Sequence, residues 1–407
     1  MAVVTRTGRG ADGGLVIPSP GPVAPSKRIE GIDVLRGLAL FGVLTVNIVF
    51  EFRVSIFEQF LPPVGTEPAI DRALKHFLAA AVELKAFALF SFLFGIGLAI
   101  QFDRLTSNPR RLALLVRRLT VLLAIGAAHL FLIWSGDILV EYAVAGLLVL
   151  PFLFGPRWLV LLAATAALVL FLTMPLLPPV VHLPSHIWIR NHIAEAAQAY
   201  GTGGVLDVLA FRVREIPALF PLHVLIFPRT IALFLFGALA WRTGIFLRIS
   251  GHRRLLFNLA MGGLVLGVGL TLAAQGRAMF GWPPLGRAHE TVERLGGVML
   301  ALGYAATVIG CVSLPAGQRM LAWAAPIGRM AFTNYLAQSL ILGWIFYGYG
   351  LGLFGRLSVI TAFAIGIAVY LAQVAFSTWW LGQYRYGPIE WLWRTLMYGT
   401  RQPMVQR

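Results

Sequence analysis

A single cysteine, Cys311, stands in a chain of 407 residues, so no intramolecular disulfide forms and no thiolate metal site can be assembled. Charge is scarce as well: Asp, Glu, Lys and Arg make up 12% of the sequence, about half the share of a soluble domain. A chain so poor in charge cannot cover a water-exposed surface, and its composition also excludes disordered, collagenous and coiled-coil classes. No P-loop, G-x-S-x-G elbow or H-E-x-x-H pair occurs, and no G-x-G-x-x-G follows a strand pattern. The loop histidines His182, His186 and His192 have no close acidic neighbour before Glu195, and no metal site is expected there.

Apolar residues are abundant instead, at 58% of the chain with a mean hydropathy of +0.79. The solvent that suits this composition is lipid, and the fold class that follows is an all-α, polytopic membrane helical bundle. Crossing about 30 Å of hydrocarbon takes roughly 20 helical residues, and that template picks out about ten segments. They fall at 32–50, 84–102, 115–134, 138–155, 158–178, 223–241, 255–275, 295–314, 327–349 and 357–381. Residues 1–27, rich in Gly and Pro, read as a disordered tail, and 28–403 as one transmembrane domain. The connection 179–222 is an outer loop too long for a turn, and its polar stretch from His192 to Tyr200 predicts a surface helix. The segment GPIEWLWRTLMY (387–398) is too short to span, and its Trp391, Trp393 and Tyr398 suit an interfacial helix.

The net charge of +16 comes from 33 Lys and Arg against 17 Asp and Glu, and the basic residues fall mainly in short connections. Counted loop by loop, the side shared with the N-terminus carries a roughly twofold excess, which predicts cytoplasmic N- and C-termini. The basicity therefore encodes topology, and the partner it implies is the bilayer rather than nucleic acid.

An ionisable side chain inside a span is costly, so each one asks for a partner, a wet cavity or a function. At the cytoplasmic end Asp33 and Arg36 share a helix face three residues apart, as an ion pair or an anchor, with Gly37 allowing a neighbour to approach. Arg329, Asn334 and Gln338 begin the ninth span and read as cavity lining or as interhelical hydrogen-bonding groups. At the outer end, HLFLIWSGDILVEY folds two spans back on each other at Ser135 and Gly136. His129 then lies near the depth of Glu141 and Tyr142. An imidazole beside a carboxylate in a poorly hydrated site suits a general base or a transient acyl acceptor. A simply packed histidine leaves the same letters, and Asp137 is by position an N-cap. Asn47, Glu83, Lys85 and Arg229 lie in the same leaflet and point to a polar outer cavity.

The blocks RIEGIDVLRGLALFGVLTVNI, FALFSFLFGIGLAIQF, AAHLFLIWSGDILVEYAVAGLL, GRMAFTNYLAQS and GPIEWLWR, in this order from Arg28 to Pro403, resemble the YeiB family of bacterial inner-membrane proteins, a domain of unknown function. The first block is also similar to the start of the heparan-alpha-glucosaminide N-acetyltransferases, which pass an acyl group from cytoplasmic acyl-CoA to a sugar across the membrane. What the resemblance implies is a multi-pass inner-membrane acyltransferase with acyl-CoA as donor and a polar, sugar-like acceptor. In those enzymes the acyl-handling histidine follows the first span. The histidine in that loop here, His76, does not match their motif, which leaves His129 or direct transfer between substrates. On this reading Asp33, Arg36 and Arg329 receive the donor phosphates, Asp137 or Glu141 holds His129, and Glu83, Lys85 and Arg229 orient the acceptor. The alternative is a small-molecule transporter or exporter whose intramembrane charges line the path. Assembly into homo-oligomers is left open.

Overall fold

In lipid a backbone must satisfy its own N–H and C=O groups, so long apolar runs become helices. A computed structural model describes residues 30–62, 67–179, 181–246, 249–280 and 285–405; the predicted tail at 1–27 lies outside them. Among the described residues there are fifteen α-helices, no strand, and one isolated bridge between Tyr384 and Val405. The first half comprises α1 (Glu30–Val46), α2 (Ala69–Leu78), α3 (Leu84–Arg104), α4 (Arg111–Ala128), α5 (Leu139–Val149), α6 (Arg157–Thr173) and α7 (His186–Thr202). It is followed by α8 (Val205–Arg242), α9 (Arg253–Phe280), α10 (His289–Val312), α11 (Pro315–Leu321), α12 (Ala324–Arg329), α13 (Ala331–Phe346), α14 (Val359–Gln383) and α15 (Pro388–Tyr398). The chain is a multi-pass membrane protein with α1, α3 and α8 near its centre, packed against α12, α10 and α6 respectively.

Eight of these helices, counted with their continuations, are long and apolar enough to cross a bilayer, against the ten segments of the hydropathy template. The segment 138–155 is a shorter helix, Leu139–Phe154, because Pro151 enters the first turn of the 3-10 stretch Leu150–Phe154 and ends the α-helical ladder. The segment 327–349 is broken at Met330, whose backbone (φ −109°, ψ 27°) separates α12 from α13. The break lets α12 lie against α1 at backbone contact. A Cβ at Gly37 would stand 2.2 Å from the Ala324 carbonyl oxygen, and one at Gly328 would stand 1.8 Å from that of Asp33.

Two boundaries move outward. The second span is the last part of a continuous helix from Ala69 to Arg104, and the sixth is the last half of the 38-residue α8. At 1.5 Å per residue α8 is roughly 57 Å long, so its first turns stand beyond the hydrocarbon. The predicted loop 179–222 is consequently mostly helix. Its polar stretch forms α7, whose Ile189, His192, Ala196 and Tyr200 are buried against α8 and the turn Ile56–Phe60. α15 forms where the aromatic pattern places it and packs on α4 and α13. π-helical turns occur at Asn47–Phe52, Ala79–Glu83 and His129–Ile133, at the ends of their helices opposite Asp33 and Arg104.

Candidate functional site

The turn between α4 and α5 holds a histidine–carboxylate pair. His129 closes α4 and is 1% exposed; its Nδ1 lies 2.8 Å from Asp137 Oδ1. The other oxygen, Asp137 Oδ2, accepts the Val140 N–H at 2.7 Å, which supplies the expected cap at the start of α5. One carboxylate therefore both starts a helix and orients an imidazole. His129 Nε2 is buried and has no hydrogen-bond partner.

Glu141 is not the partner of His129. It accepts from His223 Nδ1 at 2.9 Å and from Thr230 Oγ1 at 2.5 Å, both on α8, and Arg229 is buried nearby. His223 escaped the sequence reading although it opens the predicted sixth span. A third pair joins His192 Nε2 to Glu215 Oε1 at 2.9 Å, while Glu215 Oε2 also accepts from Tyr200 (2.6 Å) and Ser135 (3.0 Å). Above His129 a stack of rings closes the bundle: Trp134 on Phe52 (4.6 Å), Phe52 on Tyr347 (5.7 Å) and Tyr347 on Tyr200 (4.6 Å).

From the opposite end a cavity of about 730 Å³ runs into the bundle. Its mouth carries Arg36, Arg104, Arg118, Arg329, Arg385 and Arg394, with Asp33, Asp103 and Glu390. The acids are already engaged. Asp33 lies 3.2 Å from Arg36, Asp103 accepts the Trp241 indole N–H at 2.7 Å, and Glu390 accepts Phe332 N–H, Thr333 N–H and the Thr333 hydroxyl at the start of α13. Burial holds the Glu390 carboxyl above the ordinary range. Arg118 lies 3.9 Å over the Trp393 ring. Deeper, the wall becomes apolar through Val43, Phe90, Leu93, Phe94, Leu122 and Leu139, and it ends with Ile138, Tyr142 and Tyr335. The Tyr335 ring packs 5.3 Å from the His129 ring, so the dyad stands one side chain behind the cavity wall.

The predicted set therefore divides. Asp33, Arg36 and Arg329 line the cavity, and His129 with Asp137 stands behind its inner wall. Asn334 does not line it: its side-chain amide donates to Ser377 Oγ at 2.9 Å, its backbone carbonyl accepts from Gln373 Nε2, and Gln338 donates to Gln373, a ladder that ties α13 to α14. Glu83, Lys85 and Arg229 are not gathered around His129. Lys85 Nζ donates to the Ala79 carbonyl at 3.0 Å, Glu83 lies within electrostatic reach of Lys85 and Glu293, and Arg229 faces Glu141 and Phe171. Asn47 is buried in the first π-helical turn. Among the described residues no group of three or more His, Cys, Asp or Glu side chains is placed to hold a metal.

The architecture and cavity define a polytopic helical membrane protein with a basic pocket open at one end. A family model described as a protein of unknown function (DUF418) matches residues 240–400, which include Tyr335 and the mouth residues Arg329, Arg385, Glu390 and Arg394. The uncharacterized protein YxaH of Bacillus subtilis (strain 168) is 32% identical over 407 residues, covering 95% of this chain and 98% of its own. The uncharacterized protein YeiB of Escherichia coli (strain K12) is 28% identical over 399 residues, with 92% and 98% covered. An uncharacterized 39.9 kDa protein in the amylase 3' region of Bacillus acidopullulyticus is 27% identical over 405 residues, with 94% and 98% covered. The chain belongs to the YeiB family.

Proposed function

We propose that this protein is a bacterial inner-membrane acyltransferase that takes an acyl group from cytoplasmic acyl-CoA and delivers it to a polar, sugar-like acceptor at the outer face. The observation that carries the reading is a cavity that begins among six arginines and ends one ring away from His129 and Asp137. Guanidiniums in excess of free carboxylates suit the phosphates of a nucleotide carrier, and the apolar bore suits the arm that bears the thioester. With Asp137 on Nδ1, the free Nε2 of His129 is the basic or nucleophilic nitrogen. Both chain ends and the arginine mouth lie on the cytoplasmic side in this reading, as the loop charges imply.

The test is saturable binding of acetyl-CoA and longer acyl-CoAs to the purified protein in detergent. Arg36→Ala weakens binding and His129→Ala leaves it intact; a folded sample that binds no acyl-CoA overturns the proposal. The cavity is open at one end and walled by Ile138, Tyr142 and Tyr335 at the other, a form that also suits a transporter, and proton- or ion-dependent uptake into vesicles would favour that second reading.

A further inference from the structure

The inner wall of the cavity presents one polar group whose proton is unspent. Tyr335, on α13, is 5% exposed and lines the cavity, and its hydroxyl oxygen accepts the Ile138 N–H at 3.4 Å. That bond fixes the phenol oxygen to the same turn that carries Asp137, one residue earlier. A phenol also donates, and among the described residues no acceptor takes the Tyr335 proton. The neighbouring wall tyrosine differs: Tyr142 donates to the Phe87 carbonyl at 3.1 Å and lies 2.9 Å from Ser91 Oγ. Buried donors in a folded protein are normally paired, so an unpaired O–H at the end of a ligand-sized cavity points to an acceptor that arrives with the ligand.

We propose that Tyr335 is a catalytic residue that donates a hydrogen bond to the thioester carbonyl oxygen of the bound donor and to the oxyanion that forms there. The inference rests on the acyl-transfer reading. The acceptor hydroxyl attacks the carbonyl carbon while His129 Nε2 takes its proton, and the carbonyl π electrons move onto oxygen, where the Tyr335 O–H meets them. Collapse of that intermediate restores the carbonyl and breaks the carbon–sulfur bond. CoA leaves as a thiolate and receives the proton from His129. Two unspent groups serve the two demands of the step: a base for the attacking oxygen and a donor for the developing charge. Their rings are 5.3 Å apart, and the Ile138 contact and the Asp137 bond hold both on one turn.

The experiment uses the full-length protein in detergent with acetyl-CoA as donor and hydroxylamine as a small nucleophile, reading acetohydroxamate formation beside acetyl-CoA binding. Tyr335→Phe keeps the ring and removes only the hydroxyl. It should leave the Kd within about twofold of wild type and lower kcat by about 10²–10³, the loss typical of one oxyanion donor. Tyr335→Ala, which also opens the wall toward His129, tests whether the ring alone matters: a kcat no better than that of the Phe variant assigns the effect to the hydroxyl. A Tyr335→Phe kcat within about twofold of wild type, while His129→Ala is inactive, overturns the role of Tyr335 and leaves acyl transfer standing. A wild-type protein that neither binds acetyl-CoA nor forms hydroxamate overturns both.

Discussion

The two ends of the bundle treat charge in opposite ways. At the arginine mouth six guanidiniums face three carboxylates that are already bonded elsewhere or to one of them. At the other end each buried carboxylate of the three histidine pairs is saturated: Asp137 by His129 and Val140, Glu141 by His223 and Thr230, Glu215 by His192, Tyr200 and Ser135. Saturated groups under stacked rings build a rigid seal, whereas a mouth lined by more guanidiniums than carboxylates carries a net positive charge that suits an anionic ligand. The contrast separates the part of the molecule that holds the fold from the part where we propose the donor binds, and His129 stands between them, with Nδ1 on Asp137 and Nε2 buried without a partner.

The sharpest way to break this contrast is at the border. Asp137→Asn keeps a polar group on His129 but removes the charge that fixes its tautomer, and acetyl transfer to hydroxylamine should fall by up to about 10⁴ with the Kd for acetyl-CoA unchanged. Retained transfer would assign Asp137 to capping α5 alone.

Next in size, at the sealed end, Glu215→Ala leaves Ser135, His192 and Tyr200 without their shared acceptor. A loss of about 3–5 kcal/mol is expected, read as a lower Tm in detergent, with donor binding intact in whatever remains folded. At the mouth the pattern should invert: Arg36→Ala or Arg385→Ala should weaken acetyl-CoA binding about tenfold each, more at low salt than at high, with little change in Tm.

The smallest effect concerns Glu390. Its folded carboxyl titrates above the unfolded value, so the stability it contributes is complete below the ordinary carboxylate range and declines as pH rises through the raised value. Glu390→Gln should flatten that slope in a Tm-against-pH series; an unchanged slope would assign it to other groups.

Much of this was legible in the letters. Helix class, membrane residence, a helix over 387–398 and a histidine close to a carboxylate within HLFLIWSGDILVEY follow from period, length and the cost of charge in lipid. Span count was harder because hydropathy does not register a backbone break: Met330 is itself apolar and leads into the apolar run of α13, and Pro151 interrupts a run that reads as continuous. Long-range pairing was harder still. His223 meets Glu141 and Glu215 meets Ser135 across 82 and 80 residues, distances that no local period encodes. The expectation that Glu83, Lys85 and Arg229 share one cavity failed for a related reason: a buried Lys can be satisfied by a carbonyl on its own helix, as Ala79 does for Lys85. The polar face of Asn334 and Gln338 had two readings, and pairing with α14 decided for hydrogen bonding between helices.

The central claim is that the donor enters at the arginine end and reacts at the inner wall. The most direct measurement compares inverted and right-side-out membrane vesicles supplied with external acetyl-CoA, which does not cross the bilayer, and hydroxylamine. Acetohydroxamate formed by inverted vesicles alone, reduced at subsaturating acetyl-CoA with Arg36→Ala and lost with His129→Ala, is the predicted result. Equal activity in both orientations, or activity indifferent to His129, would contradict the account.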